Sequence, residues 1–369
     1  MPRRVTSLPE GAIALDQPVG PITRLRLYPV RPLWSVGPGW AAVSGGLAVA
    51  GLTSSPEIWI RLILAWLLTD SLLGAVWDLG VGNAAPFSTA PARWGEANPG
   101  VGHTGIWHQL LNPQLPDRAP PIRLFPYSQA GSPADQLARR FGRLRVWWHD
   151  SFWPESGREF ATLVAALGLA LLLGAILGPY VLGLVLISAA ASWLAVLSRK
   201  GGWVGASPQK AGERSPVVNL WHAVGGFGIP WLVGVAMMGS PSWVAGILGL
   251  CYAITYFGMI AQPFDFRFVG AGQAVAALLV VSLRHPLTAG VMAILLMPQW
   301  ALCAWRECSL SLQQHKQGSR AGGTGLEEQN SALAGPRSEI PLPSPEAYLR
   351  WIQPFVVASM LAAALGIAP

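Results

Sequence analysis

Two aspartates stand in an apolar stretch. Trp59 to Asp78 reads WIRLILAWLLTDSLLGAVWD, long and greasy enough to cross a bilayer, with Asp70 inside it and Asp78 at its end. A carboxylate in a membrane span is costly unless it is paired, hydrated or metal-bound, which makes it a functional-site candidate. On an α-helix, eight residues set the two acids about 80° apart and about 12 Å along the axis, so both can face one cavity at a helix end. A third acid, Asp265, sits beside Arg267 in the loop QPFDFRF (262–268). Carboxylate oxygens are ligands for hard cations such as Mg²⁺. Arginines, here Arg267 and the run Arg139, Arg140, Arg143 and Arg145, attract phosphate.

The elements that must hold these groups are membrane helices. The chain has 369 residues, 52% of them hydrophobic and only 12% charged, where soluble domains carry about a quarter charged residues. This is the composition of an all-α polytopic membrane protein. Nine spans are expected, at about 37–53, 59–78, 160–177, 180–198, 217–238, 242–261, 269–284, 286–305 and 350–367. They form one domain over 37–367, after a polar, basic segment 1–36. The first span is rich in Gly and Ala and suited to close packing. A Gly178-Pro179-Tyr180 break separates the third span from the fourth. Two long loops interrupt the domain: 79–157, rich in Pro, Gly and Trp, and the Gln-, Ser- and Gly-rich 306–347. Within the first, ADQLARRFGRLRVWWHDSF (134–152) reads as a basic amphipathic helix on the membrane surface, with a solvated helix packed on other loops as the alternative.

Charge sets the expected orientation. With the N-terminus cytoplasmic, 23 of the 25 lysines and arginines fall inside and only Arg61 and Arg284 outside, as the positive-inside rule requires. The long loops, Asp78 and Asp265 are then cytoplasmic and the C-terminus is outside. No basic face or recognition motif points to nucleic acid. The first 30 residues have no apolar core of a signal peptide. Cys251, Cys303 and Cys308 form no disulfide framework, and the spacing of the last two fits neither a zinc site nor a CxxC pair. His103 and His108 read as loop hydrogen-bonding groups, and His222 as a satisfied core group. Trp66, Trp77 and Trp221 are candidates to line a cavity.

Two acidic regions, after the second and sixth of nine spans, resemble the UbiA superfamily of intramembrane prenyltransferases, and the resemblance covers most of the chain. The family's first motif is Asn-Asp-x-x-Asp-x-x-x-Asp. Here Asp70 matches the first Asp, Leu73 stands where the second belongs, and Asp78 is one residue late for the third. Trp153-Pro154-Glu155-Ser156-Gly157 echoes a following Arg-Pro-Leu-x-Ser-Gly without its Arg. Asn219 to Pro230, NLWHAVGGFGIP, looks like the Gly-rich fifth span, and Tyr252 and Tyr256 lead to a second acidic loop that keeps only Asp265.

The resemblance implies transfer of a prenyl group from a prenyl diphosphate to an aromatic or other lipid-soluble acceptor. It implies Mg²⁺ on Asp70, Asp78 and Asp265, with Asp150 as a possible fourth carboxylate. Arg267, Asn219, Tyr256 and Arg143 would contact substrate. The missing acids leave an alternative: a catalytically inactive relative that binds a quinone, chlorin or isoprenoid, or serves as a subunit of a membrane complex docking through 79–157. An ion-coupled transporter using Asp70 is a third reading, against which the lack of an internal repeat counts.

Overall fold

The structure is a computed structural model that describes residues 35–81, 106–116, 131–200, 216–239, 242–261, 265–301, 304 and 345–368. Nearly all of 1–36, much of 79–157, most of 306–347, and His103, Cys303 and Cys308 lie outside the described residues. Among those described there is helix and no strand.

Ten helices follow in order. They are α1 (Pro38–Ala50), α2 (Pro56–Val81), the short α3 (Ile106–Leu111), α4 (Pro133–Leu177), α5 (Pro179–Lys200), α6 (216–238), α7 (Trp243–Ile260), α8 (Phe266–Ser282), α9 (Pro286–Ala301) and α10 (Pro345–Ile367). Proline opens seven of them. Its fixed φ suits the first helical turn, and the N–H it lacks would have no partner there. Gly178, at φ 128°, turns the chain between α4 and α5 at the expected break.

Five helices are long and apolar enough to cross a membrane: α2, α4, α5, residues Asn219–Met238 of α6, and α7. This is the build of a polytopic membrane protein. The other four expected spans correspond to shorter apolar stretches: α1, α8, α9 and Trp351–Ile367 of α10. Helix α1, only 13 residues long, is about 20 Å in length, short of the roughly 30 Å hydrocarbon layer. It packs closely into the bundle. Gly45 lies on the carbonyl of Trp231 and Gly234 on the carbonyl of Ala42, so closely that a Cβ on either glycine would overlap the opposing backbone. The small residues of α1 thus do what their composition suggested.

The amphipathic segment is not a separate element. It runs through Trp147–Phe152 into the following span, giving one helix of 45 residues. Its start is capped: Ser132 Oγ accepts from the Asp135 N–H (3.2 Å), and Asp135 Oδ2 accepts from the Gly131 N–H (2.9 Å).

Three apolar clusters hold the bundle. One joins α1, α2, α6, α7, α8, α9 and α10; a second joins α1, α2, α4, α5 and α6; a third packs the end of α2 against α3 and α4. Helices α1, α2 and α6 serve the first two. Polar side chains buried between helices are paired across them. Gln273 on α8 and Gln299 on α9 exchange two amide hydrogen bonds of 2.9 and 3.0 Å. Tyr252 on α7 bonds Ser359 on α10 at 2.9 Å. In a spanning bundle such pairs replace water that apolar surroundings exclude.

Candidate functional site

Helices α2, α6 and α7 converge on one pocket beside the first residue of α1, Pro38. Its walls are Thr69, Leu73, Gly74, Trp77 and Asp78 from α2, His222, Gly225 and Gly226 from α6, and Tyr256 from α7. The empty space is about 400 Å³, counting what opens to the surroundings, and its enclosed part is narrow.

Both long walls are π-helical in part: Leu67–Leu73 in α2 and Val224–Gly228 in α6. A π turn shifts helical register locally and is frequent at functional sites. In α6 it coincides with Gly225 and Gly226, which let rings approach the backbone. The indole of Trp77 lies against Gly225, and the Tyr256 hydroxyl lies beside Gly226. Thr69 settles the α2 distortion locally, its hydroxyl donating to the carbonyl of Ala65 at 2.7 Å.

Trp77 is the best-anchored wall residue. Its Nε1–H donates to Ser188 Oγ on α5 at 3.2 Å, and its ring sits 5.4 Å from His222 at a 51° tilt. On the far wall Tyr256 stacks on Phe227 (5.6 Å, 29°). From there a file of rings continues through Trp231 (6.2 Å from Phe227) to Tyr252 (6.3 Å from Trp231), between α6 and α7. The pairs Phe227/Trp231 and Tyr252/Tyr256 are each four residues apart, so helical spacing in the sequence was the signal for this file.

The expected site residues divide. Asp78 and Tyr256 reach the pocket. Asp70 is buried within the α2 π turn at 6% exposure, but the pocket wall there is Thr69 and Leu73. The 80° estimate assumed an unbroken α-helix, and the π turn removes that register. Asn219 lies on α6 one turn before His222, 4% exposed, and its Oδ1 has no hydrogen-bond partner among the described residues.

Asp265 is the N-cap of α8. Its Oδ1 accepts from the Arg267 N–H at 2.9 Å, and among the described residues it makes no ion pair with the guanidinium. Arg267 and Asp150 are exposed, and Arg143 is half-buried on the extension of α4; none lines the pocket. Ser156 of the Ser-Gly echo donates to Gln109 Oε1 at 2.7 Å and fastens α3 to α4. Of the three candidate tryptophans only Trp77 is on the wall. Trp66 meets Trp40 edge-on at 4.9 Å, and Trp221 donates to Ser198 at 3.1 Å. His222, expected as a core group, is buried and also borders the pocket.

Among the described residues no three His, Cys, Asp or Glu side chains gather closely enough to hold a metal ion. Asp70, Asp78 and Asp265 therefore do not form one ligand set. A Mg²⁺ ion takes about six oxygens. Asp78 alone supplies a carboxylate on the wall, so waters and substrate phosphates would have to complete the shell. What the wall does offer is one acid, one imidazole, one phenol and an indole face around a mostly apolar space, a lining suited to a flat ring with a polar edge.

No protein-family model, curated protein or solved structure matches this chain.

Proposed function

We propose that this chain is a divergent UbiA-like membrane protein whose α2–α6–α7 pocket binds the ring end of a lipid-soluble compound, a quinone or a related isoprenoid, without transferring a prenyl group. One observation carries the reading. Leu73, at the position where the resemblance expects the second aspartate, lies on the pocket wall with Asp78 and Trp77. The wall keeps its place but presents a methyl group where a diphosphate site needs an anion to hold Mg²⁺. The use of Asp265 as a helix cap agrees with this. The family resemblance itself is supported by its separate stretches meeting at one place: Asp78 from α2, Gly225 and Gly226 from α6, and Tyr256 from α7. The proposal includes a cytoplasmic N-terminus and large loops, on the charge count given above.

Prenyl transfer is the second reading. It is favoured by Asp78 sharing the pocket with His222 and Tyr256, since one carboxylate with substrate phosphates and waters can hold Mg²⁺. One experiment separates the two. The purified protein in detergent is given a short-chain benzoquinone, and separately prenyl diphosphates of several lengths with Mg²⁺ and aromatic acceptors. Binding reads a thermal shift with the quinone, lost in Trp77→Ala, and no pyrophosphate. Pyrophosphate release abolished by Asp78→Asn establishes transfer instead. No quinone shift at any concentration ends the binding proposal.

A further inference from the structure

The N-terminal third of α4 carries a face that the described protein leaves bare. Leu137 and Phe141 are each 50% exposed and Leu144 is 40% exposed. They fall at i, i+4 and i+7, one stripe of a helix, and Trp148 continues it, half-buried. Exposed Arg140 and Arg145 flank the stripe, with half-buried Arg143 between them. Among the described residues the ion pairs are Arg61–Glu57 and Arg139–Asp135, so Arg140, Arg143 and Arg145 are not neutralised by an acid of this set.

The stripe is covalently continuous with a membrane span. Forty-five residues make α4 about 67 Å long, whereas a bilayer with its headgroups is about 40–45 Å thick. The apolar part of α4 lies toward Leu177, so the Arg-bearing part emerges on the headgroup side. Between the two lies the π turn Trp147–Phe152, and helices kink at such turns. Around it cluster Trp147, Trp148, Phe152, Trp153 and Phe160, with neighbouring centroids 4.8–6.2 Å apart. Tryptophan concentrates at the depth of the headgroups.

We propose that residues 133–148 bind anionic lipid headgroups: the arm folds along the membrane at the π turn, sets Leu137, Phe141 and Leu144 into the acyl boundary and places Arg140, Arg143 and Arg145 among lipid phosphates. A second copy of the chain is a poor occupant, because pairing the stripe with itself brings arginine against arginine. A lipid surface supplies apolar area and negative charge together.

The test uses the full chain, made cysteine-free and carrying an environment-sensitive fluorophore at Phe141→Cys, reconstituted in vesicles. Leu137→Cys is a second reporter in case the first perturbs folding. The vesicles are phosphatidylcholine alone or mixed with phosphatidylglycerol, each with lipids bearing a quencher near the headgroup. The expected result is strong quenching in the anionic vesicles, weaker in phosphatidylcholine, and reduced by added salt. Each of Arg140→Gln, Arg143→Gln and Arg145→Gln lowers the ratio of membrane-bound to free arm by about fivefold. Quenching that is equal in the two lipids and insensitive to the arginines overturns the anionic assignment. A label that no lipid quencher reaches overturns the proposal altogether, and means that the arm stands in water or against a protein.

Discussion

The indole of Trp77 lies on the bare Cα of Gly225, where any Cβ would overlap the ring. This contact fixes the distance between α2 and α6 at the pocket, and with it the distance from Asp78 to His222. A methyl group here is overpacking, which costs about 1–3 kcal/mol. Gly225→Ala is expected to lower the melting temperature in detergent and to weaken quinone binding. The neighbouring Gly226→Ala meets only the edge of Tyr256 at 3.4 Å and is expected to cost less. Equal effects of the two substitutions would contradict the assignment of Gly225 as the spacer.

The Trp77 N–H is buried, with Ser188 Oγ as its partner. Ser188→Ala leaves that donor without an acceptor in a dry interior, a penalty of about 1–3 kcal/mol. Trp77→Phe removes the donor and frees the hydroxyl. The double variant is expected to be less destabilised than the sum of the singles, by a coupling of about 1 kcal/mol. Additive melting shifts would mean that the bond is not formed.

Asp265 separates a structural from a chemical role by one atom. As a cap it accepts a backbone hydrogen bond, which asparagine does equally well, whereas alanine costs about 0.5–2 kcal/mol. Asp265→Asn is expected to keep the wild-type melting temperature, and Asp265→Ala to fall. A metal ligand would show the opposite pattern in Mg²⁺-dependent binding, because the neutral amide fails almost as badly as the methyl.

Leu73→Asp restores the missing acid to the pocket wall. The variant is expected to be less stable without metal, since it buries a second carboxylate near Asp78. It should be rescued by Mg²⁺ together with a prenyl diphosphate, read as a thermal shift that wild type does not give. Absence of rescue would show that the two wall positions cannot share a cation.

At the entry of the α4 arm, the Gly131 N–H and the Arg139 guanidinium hold the Asp135 carboxyl below its ordinary range. A lowered folded pKa contributes stability above the unfolded value, lost as pH falls through the folded one. The first turn of the arm is therefore expected to fray in acid, with exchange of the Asp135 and Gln136 amides rising below about pH 4. In Asp135→Asn the same amides should exchange independently of pH-driven fraying.

Much of the frame was legible in the chain. Gly178-Pro179 marked the turn after α4, and the Gly and Ala of α1 announced a close crossing, because these signals are local. The same locality explains the misses. The expected first span, 37–53, forms a helix of only 13 residues, because apolar composition does not mark where helical hydrogen bonding stops. Asp70 and Asp78 looked paired because ideal helical periodicity hides a π turn. His222 is buried, as its apolar neighbours suggested, but that Trp77 of α2 packs on its ring depends on a residue far away in the chain.

The order of residues alone settled that this chain is helical, apolar enough for a bilayer, and furnished with a few isolated acids, since hydropathy and backbone preference act over a turn or two. Which of those acids face each other was decided only by packing. The position of Asp78 beside His222 and Tyr256, and of Asp265 on the end of a helix, depends on how closely glycines let three distant segments approach. That distance is set by side-chain volume across the interface, a quantity no single segment contains.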